Sequence, residues 1–413
     1  MGKRFRLVLV SGLWLLLVHA PVVGDDEWRH WRGPNHDGRA PDSGVFGETF
    51  GLERAWKVSL GAAYSGIVVS DGRVVTMFSD GQANWLTALD ADTGRELWRY
   101  EIDAAYKGRQ SAEDGPRSTP LIDDGVVYGL DPRGKLVAVG LSDGDPLWAT
   151  DLRSRFGSIS PAHGFTTSSV IDGNVLVVLV GGSRKRSIAG LDKKTGETLW
   201  TNLSYKVEYQ SPVLMTLAGR RQIVIADRNR VSGLAPDSGE VLWTHDIRGL
   251  GSGHGPQASH LGGDRFLIKF FESIALFELK KTAEGYEAQT LYRVDEFKKS
   301  YLPPILHDGH LYGFNAKFLT CVNAETGEQM WKSRPPQGEG MILVDGHLVI
   351  LADEGFVVVV QATPEGYREK ARVQVLERDG MTWPSFADGK VFVRNMEQIG
   401  AASIRGTSSN EDP

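Results

Sequence analysis

The chain has 413 residues, of which 49 are glycine and 41% are hydrophobic, and its 46 basic and 52 acidic side chains leave a net charge of −6. Glycine well above the average of about 7%, beside a full share of apolar residues, excludes disordered and collagen-like classes and describes a turn-rich chain with a large core. The charge gives no global attraction for nucleic acid or an anionic membrane, and the single cysteine excludes an intrachain disulfide framework and any multi-thiolate metal site.

The first residues read as an export signal. Lys3, Arg4 and Arg6 precede the apolar stretch Leu7 to Val18, and Val22-Val23-Gly24 forms a small-residue exit with cleavage expected after Gly24. The apolar stretch covers only about 18 Å as a helix, too short to span a bilayer. The only cysteine, Cys321, is far from the exit and cannot carry a lipid anchor there. The expected organisation is a signal peptide at 1–24, an N-terminal extension at 25–51, a repeat domain at 52–403 and a flexible tail at 404–413. The mature protein is expected to be periplasmic or secreted, with no transmembrane segment.

A strand-like segment, Leu52 to Val58, precedes the first complete repeat. Five later segments then share one frame, with glycine four residues before tryptophan: Gly94 and Trp98, Gly144 and Trp148, Gly196 and Trp200, Gly239 and Trp243, Gly327 and Trp331. The residue ten before each tryptophan is small: Ala88, Ala138, Gly190, Gly233 or Cys321. Cys321 therefore reads as a buried small hydrophobe rather than a nucleophile. Successive tryptophans lie 50, 52, 43 and 88 residues apart, the last interval spanning two repeats, and this period is that of propeller blades.

Turn pairs supply a second count. Asp71-Gly72, Asp124-Gly125, Asp172-Gly173, Gly219-Arg220, Gly263-Asp264, Asp308-Gly309, Asp345-Gly346 and Asp388-Gly389 are each flanked by strand-like residues, as in the two-residue hairpins whose central positions need φ > 0. Apolar runs beside them, such as Val175 to Val180 and Leu348 to Leu351, suit strands buried on both faces between neighbouring blades. Two blades lack the tryptophan, and the eighth, from Met381 to about Ser403, holds only three strands. The segment at Leu52 is the natural fourth. The expected fold is all-β: an eight-bladed β-propeller of four-stranded antiparallel blades, its ring closed by an N-terminal strand.

Local motifs mark no catalytic constellation. Gly129 to Lys135 has the spacing of a phosphate loop, but Leu136 stands where a metal-binding hydroxyl is needed and the segment lies between strands, so it reads as a hairpin turn. His307 and His310 flank a turn that recurs in other blades without histidine, an incomplete ligand set. Gly249 to Gly255 contains Ser252 and His254 but lacks a strand-to-helix elbow, so it reads as an interblade loop.

The frame small-x-Asp-x-x-Thr-Gly-x-x-x-Trp resembles the repeat of the pyrroloquinoline-quinone-like propellers, and Asp90 to Trp98 and Asp192 to Trp200 match it fully. The resemblance implies that the glycine turns the chain into the outermost strand and that the tryptophan docks between blades. The stretches Trp28 to Gly38 and Gly115 to Pro120 also resemble exported bacterial members of the family. Its dehydrogenases carry adjacent cysteines over the cofactor and hold calcium with a Glu and an Asn beside a catalytic Asp; one cysteine cannot make the former, and no local motif marks the latter. In size and blade count the chain resembles the non-catalytic branch typified by an outer-membrane assembly lipoprotein, without that branch's lipid-attachment cysteine.

In a propeller the loops leading into the innermost strands converge on the central channel. Polar and aromatic residues recur there: Arg117, Ser118 and Thr119; Thr166, Thr167 and Ser168; Tyr209, Gln210 and Ser211; then His254, Tyr301, Glu339 and Trp383. Such a funnel is the default place for a small ligand. The leading functional reading is a non-catalytic exported scaffold that binds a protein or envelope component, with no cofactor and no metal. The alternative is a quinone-dependent oxidoreductase or small-ligand binder using the funnel, with pyrroloquinoline quinone and calcium as cofactor and Arg117 as an anion contact.

Overall fold

The computed structural model describes residues 27–108, 114–204, 209–253, 255–380 and 382–406. The expected signal peptide, and the tail from 407 onward, lie outside the described residues. The described residues form eight four-stranded antiparallel sheets, seven of them runs of neighbouring strands joined by hairpins. Blades 1 to 7 span 68–104, 121–151, 170–202, 213–246, 257–294, 305–333 and 338–374. Blade 8 combines three strands at 385–406 with Phe50–Ser59, which pairs antiparallel with Gln398–Gly406 from Phe50↔Gly406 to Ser59↔Gln398. The N-terminal strand thus closes the ring, and its partner, the last strand, runs to Gly406 rather than ending at Ser403.

In six of the eight blades the first hairpin turns where the dipeptides predict. Asp71 and Gly72 have φ of 50° and 68°, and Asp388 and Gly389 have 48° and 69°, the left-handed pair that a two-residue turn requires. Blade 3 turns one position later, at Gly173 and Asn174, with Asp172 still paired to Val175 as the end of its strand. Blade 4 differs by one position the other way. Its turn residues are Ala218 and Gly219, with φ of 49° and 73°, and Arg220 already opens the next strand.

Four of the five repeat tryptophans bond the next blade, whereas Trp243 donates to Gln222 Oε1 of its own blade (2.5 Å) and meets blade 5 through Phe266, at 5.8 Å between ring centroids. Trp98 donates its indole N–H to Leu141 O (2.8 Å), Trp148 to Lys193 O (3.0 Å), Trp200 to Pro236 O (3.0 Å) and Trp331 to Thr363 O (2.8 Å). Trp56, on the closing strand, does the same to Ala91 O (2.9 Å), so it is the eighth blade's own repeat tryptophan. A Cβ at Gly94 would stand 2.5 Å from the Trp56 ring, which is why this corner holds glycine. In blade 5 the place is taken by Tyr292, whose hydroxyl donates to Ala324 O. Between the joints the strands are sealed: Val177, Val224, Val349 and Val359 are wholly buried, as expected for strands covered on both faces.

The N-terminal extension crosses the ring. Trp28 exchanges backbone hydrogen bonds with Val69 of blade 1 (3.0 and 2.9 Å), and Ile122 N of blade 2 donates to Arg29 O (3.0 Å). On the far side Arg32 donates to Ser259 Oγ of blade 5 (2.9 Å), and Ala40 and Gly38 bond Leu343 of blade 7 (2.8 Å each). Blades 1 and 5 are opposite in a ring of eight, so residues 28–40 pass over the axis. Their anchors on Val69, Ile122 and Leu343 lie on innermost strands, toward the hairpin ends, and the strap covers that mouth of the channel. It is packed as core: Trp28 and Arg32 are each 1% exposed. His30 and His36 meet within it at 5.0 Å between ring centroids, tilted by 41°, and burial pushes their pKa values down to about 4 and about 3.

Candidate functional site: a blind cavity on the ring axis

The segments leading into the innermost strands are extended, so alternate residues face the axis. Tyr64, Arg117, Thr166 and Tyr209 form an upper tier and Gly66, Thr119, Ser168 and Ser211 a lower one, around a cavity of about 190 Å³. Gly255, Gln257, Tyr301, Leu302, Thr382 and Trp383 continue the wall, and Trp31 reaches it from the strap. With the other mouth covered, the cavity is a cup.

The lower tier is a belt. Gly66 N donates to Thr119 Oγ1 (3.2 Å), Thr119 N to Ser168 Oγ (3.0 Å), Ser168 N to Ser211 Oγ (3.0 Å) and Ser211 N to Gln257 Oε1 (2.9 Å). Each innermost strand is therefore tied to the next by a side-chain acceptor for a backbone N–H that no sheet partner reaches. On the other side of the ring Ser385 Oγ donates to Ile67 O (2.7 Å), linking blade 8 to blade 1.

Arg117 is the only charged side chain on the described wall. Its guanidinium lies 4.7 Å from the Tyr64 ring centroid and 6.0 Å from that of Tyr106, contacts that hold it in place. Trp383 rests on Arg32, whose guanidinium is 4.8 Å from its ring and 5.9 Å from that of Trp31. Burial lowers the Arg32 pKa to about 10, so the stack stays cationic at neutral pH. Thr166 Oγ1 is buried in the cavity wall with no hydrogen-bond partner.

Eight of the residues expected from sequence, Arg117, Thr119, Thr166, Ser168, Tyr209, Ser211, Tyr301 and Trp383, meet on this wall. Ser118, Thr167 and Gln210 do not, because each alternates with wall residues and turns into its blade. Ser118 donates to Leu130 O (2.6 Å), Thr167 is 1% exposed, and Gln210 is 1% exposed with neither amide atom partnered. His254 lies outside the described residues, and Glu339 sits in the strand Gly338–Val344 with its side chain outside them. Tyr64, Gln257, Thr382 and Trp31 were missed. The rule that found Arg117 finds Tyr64 when applied to blade 1, whereas nothing local marks Trp31.

The remaining motifs are structural. Asp131, in the phosphate-loop lookalike, accepts from Arg133 N (2.5 Å) and Asn84 Nδ2 (2.6 Å), and burial raises its pKa to about 6. His310 Nδ1 lies 2.8 Å from Asp308 O in its own turn. Cys321 is fully buried, and burial pushes its thiol up to about 12, far from a reactive thiolate. Among the described residues no three His, Cys, Asp or Glu side chains group as metal ligands, and the described cavity wall carries no carboxylate. A calcium-held quinone therefore does not fit the donors described here. No helix of the described residues is long and apolar enough to cross a membrane.

Comparison with known proteins agrees with the architecture. The family model described as outer membrane protein assembly factor BamB matches residues 52–129 and 82–256. The BamB of Yersinia pestis is 21% identical over 360 residues, covering 84% of this chain and 77% of that protein. Among solved structures, BamB from Moraxella catarrhalis superposes with a TM-score of 0.60 at 17% identity, over 87% of this chain and 99% of that one. A quinohemoprotein alcohol dehydrogenase from Pseudomonas putida HK5 also reaches 0.60, at 13% identity, over 94% and 81%. These structural likenesses concern the fold. Joined to the repeated glycine–tryptophan joints and the ring closure, the family match places this chain among the pyrroloquinoline-quinone-like repeat propellers.

Proposed function

We propose that the protein is an exported, non-catalytic propeller that serves as a protein-binding scaffold of the cell envelope. The observation that carries this reading is the extended likeness to an outer membrane protein assembly factor, over 84% of the chain. The covered mouth is consistent with it, since the rims and open loops of a ring are where such a fold varies and binds. Residues 1–24 act as the leader in this reading and deliver the chain to the periplasm or beyond. The test is expression of the full chain in a Gram-negative host. The exported product is expected to begin at Asp25 by N-terminal sequencing and to retain a defined envelope protein that rebinds saturably when both are purified. An unprocessed cytoplasmic product, or absence of any partner together with quinone-dependent alcohol oxidation, would overturn the reading.

The second reading, a quinone-dependent oxidoreductase, is favoured by one observation, the placement of Arg117 on an axial cavity. Titration with pyrroloquinoline quinone and calcium tests it; an unchanged absorption spectrum and melting temperature remove it.

A further inference from the structure

The net charge of −6 hides a local reversal on the open side of blades 2 and 3. The strap covers the end of the ring that carries the first hairpins, so antiparallel order puts the second hairpin of each blade, and the exit of its outermost strand, at the opposite, open end. Two such segments meet there. The short helix Leu152–Phe156 follows the outermost strand of blade 2, and the hairpin at 182–186 joins the second and third strands of blade 3. They are in contact, since a Cβ on Gly182 would stand 2.6 Å from Phe156 O. Arg153, Arg184, Lys185 and Arg186 are exposed on these two segments, and among the described residues no carboxylate pairs with any of them. The one carboxylate of 151–164 and 181–187 is Asp151, which caps the helix by accepting from Ser154 N (2.9 Å).

The tip of the hairpin holds its cations against the preference of the backbone. Arg184 and Lys185 have φ of 57° and 61°, two successive left-handed positions that glycine or asparagine fills most easily. Neither side chain makes a hydrogen bond or ion pair among the described residues that offsets this strain. Ile159 lies three residues beyond the helix and, at 84%, is the most exposed large apolar side chain of the described residues. A protein interface is built round a contiguous apolar centre, which one isoleucine does not provide. A bilayer surface matches what is present: cations meet headgroup phosphates, and a lone apolar side chain that enters the acyl boundary finds apolar neighbours on every side.

We propose that the open rim of blades 2 and 3 docks the protein on an anionic phospholipid bilayer, with Arg153, Arg184, Lys185 and Arg186 among the headgroup phosphates and Ile159 inserted at the acyl boundary. This goes beyond the scaffold reading and needs no protein partner, so either can fail without the other. The test uses the chain from Asp25 onward, which keeps every described residue and therefore the whole ring and strap, because the apolar leader would itself enter lipid. Cosedimentation is measured with vesicles of pure phosphatidylcholine and with vesicles containing about one third phosphatidylglycerol. Retention on the anionic vesicles is expected to saturate, to exceed that on the neutral ones at least about tenfold, and to be lost at about 0.5 M salt, where exposed charges are screened. Arg184→Gly combined with Lys185→Gly is expected to lower vesicle affinity roughly 25-fold, about fivefold for each cation, while the melting temperature does not fall, because glycine accepts both left-handed positions. Ile159→Ser is expected to lower it about tenfold and to leave the salt dependence in place. Lys194→Gln, on an exposed turn of the covered side, leaves retention unchanged. Equal retention on neutral and anionic vesicles, or full retention of the double glycine variant, would overturn the proposal. So would saturable binding of poly-L-glutamate, undiminished in Ile159→Ser and without vesicle retention, which would assign the cations to an acidic protein.

Discussion

Arg394 and Lys269 occupy the same place in two blades, the last residue of the second strand, and both are almost fully buried. Their partners differ. Arg394 donates to Thr76 Oγ1 (3.0 Å), Met77 O (2.7 Å) and Gly61 O (3.0 Å), so it ties blade 8 to blade 1 and its surroundings. Lys269 donates to Phe270 O alone among its described contacts. Burial lowers the Arg394 pKa to about 9 and that of Lys269 to about 7. Arg394→Met should therefore cost about 3 kcal/mol in urea unfolding, since it strands several buried acceptors. Lys269→Met should be neutral or stabilising at neutral pH, because it removes a charge that burial already disfavours. The sign in pH follows: between pH 10.5 and about 7 the unfolded chain binds the Lys269 proton more readily than the folded one. Stability from this group is present above pH 10.5 and lost as the pH falls toward 7, and Lys269→Met should flatten that slope.

At the scale of single elements, what could be read in advance depended on whether a position carries a local conformational demand. Asp-Gly pairs announce the hairpins because few residues accept two successive positive φ values, and six of the eight turns fall as expected, blade 3 turning one residue later at Gly173 and Asn174. Blade 4 slips by one because Ala218, an unlikely left-handed residue, takes the first position with φ of 49°. The strap carries no such demand. Its contacts are made with strands far along the chain, as where Arg39 bridges to Leu343, so neither periodicity nor turn chemistry marks Trp31 or Arg32 as part of a cavity floor. The funnel was legible in position and only half legible in orientation, because choosing Thr119 over Ser118 requires knowing which side of an extended segment faces the axis. Trp28 tests the strap directly. It is 1% exposed and packs with the blade 8 and blade 1 core, so Trp28→Ala should lower unfolding free energy by about 3–5 kcal/mol while the far-ultraviolet β signature persists.

The whole molecule depends on a seam that the other joints do not share. Seven blades are continuous in sequence, whereas blade 8 is assembled from both ends of the ring, with Phe50–Ser59 held by Gln398–Gly406 and Trp56 docked on Gly94. A Cβ at Gly94 would press 2.5 Å from the Trp56 ring, so Gly94→Ala should push the closing strand outward as well as strain a φ of 71°. The expected result is a loss of about 3 kcal/mol or more, with hydrogen exchange rising first in 50–59 and 398–406. At Gly196, against Trp148 of a continuous blade, the equivalent substitution should destabilise without singling out the seam.

A chain segment laid across one mouth makes the axis a dead end, and this governs exchange as well as shape. With residues 28–40 laid across one mouth and Trp31 on the cavity wall, an occupant of the axial cavity enters and leaves by the opposite opening. A protein seated across that opening would set the residence time of the occupant by obstruction alone, with no change of conformation in either partner. Occupancy of the cavity and occupancy of the open rim would then be ordered events, first in being last out.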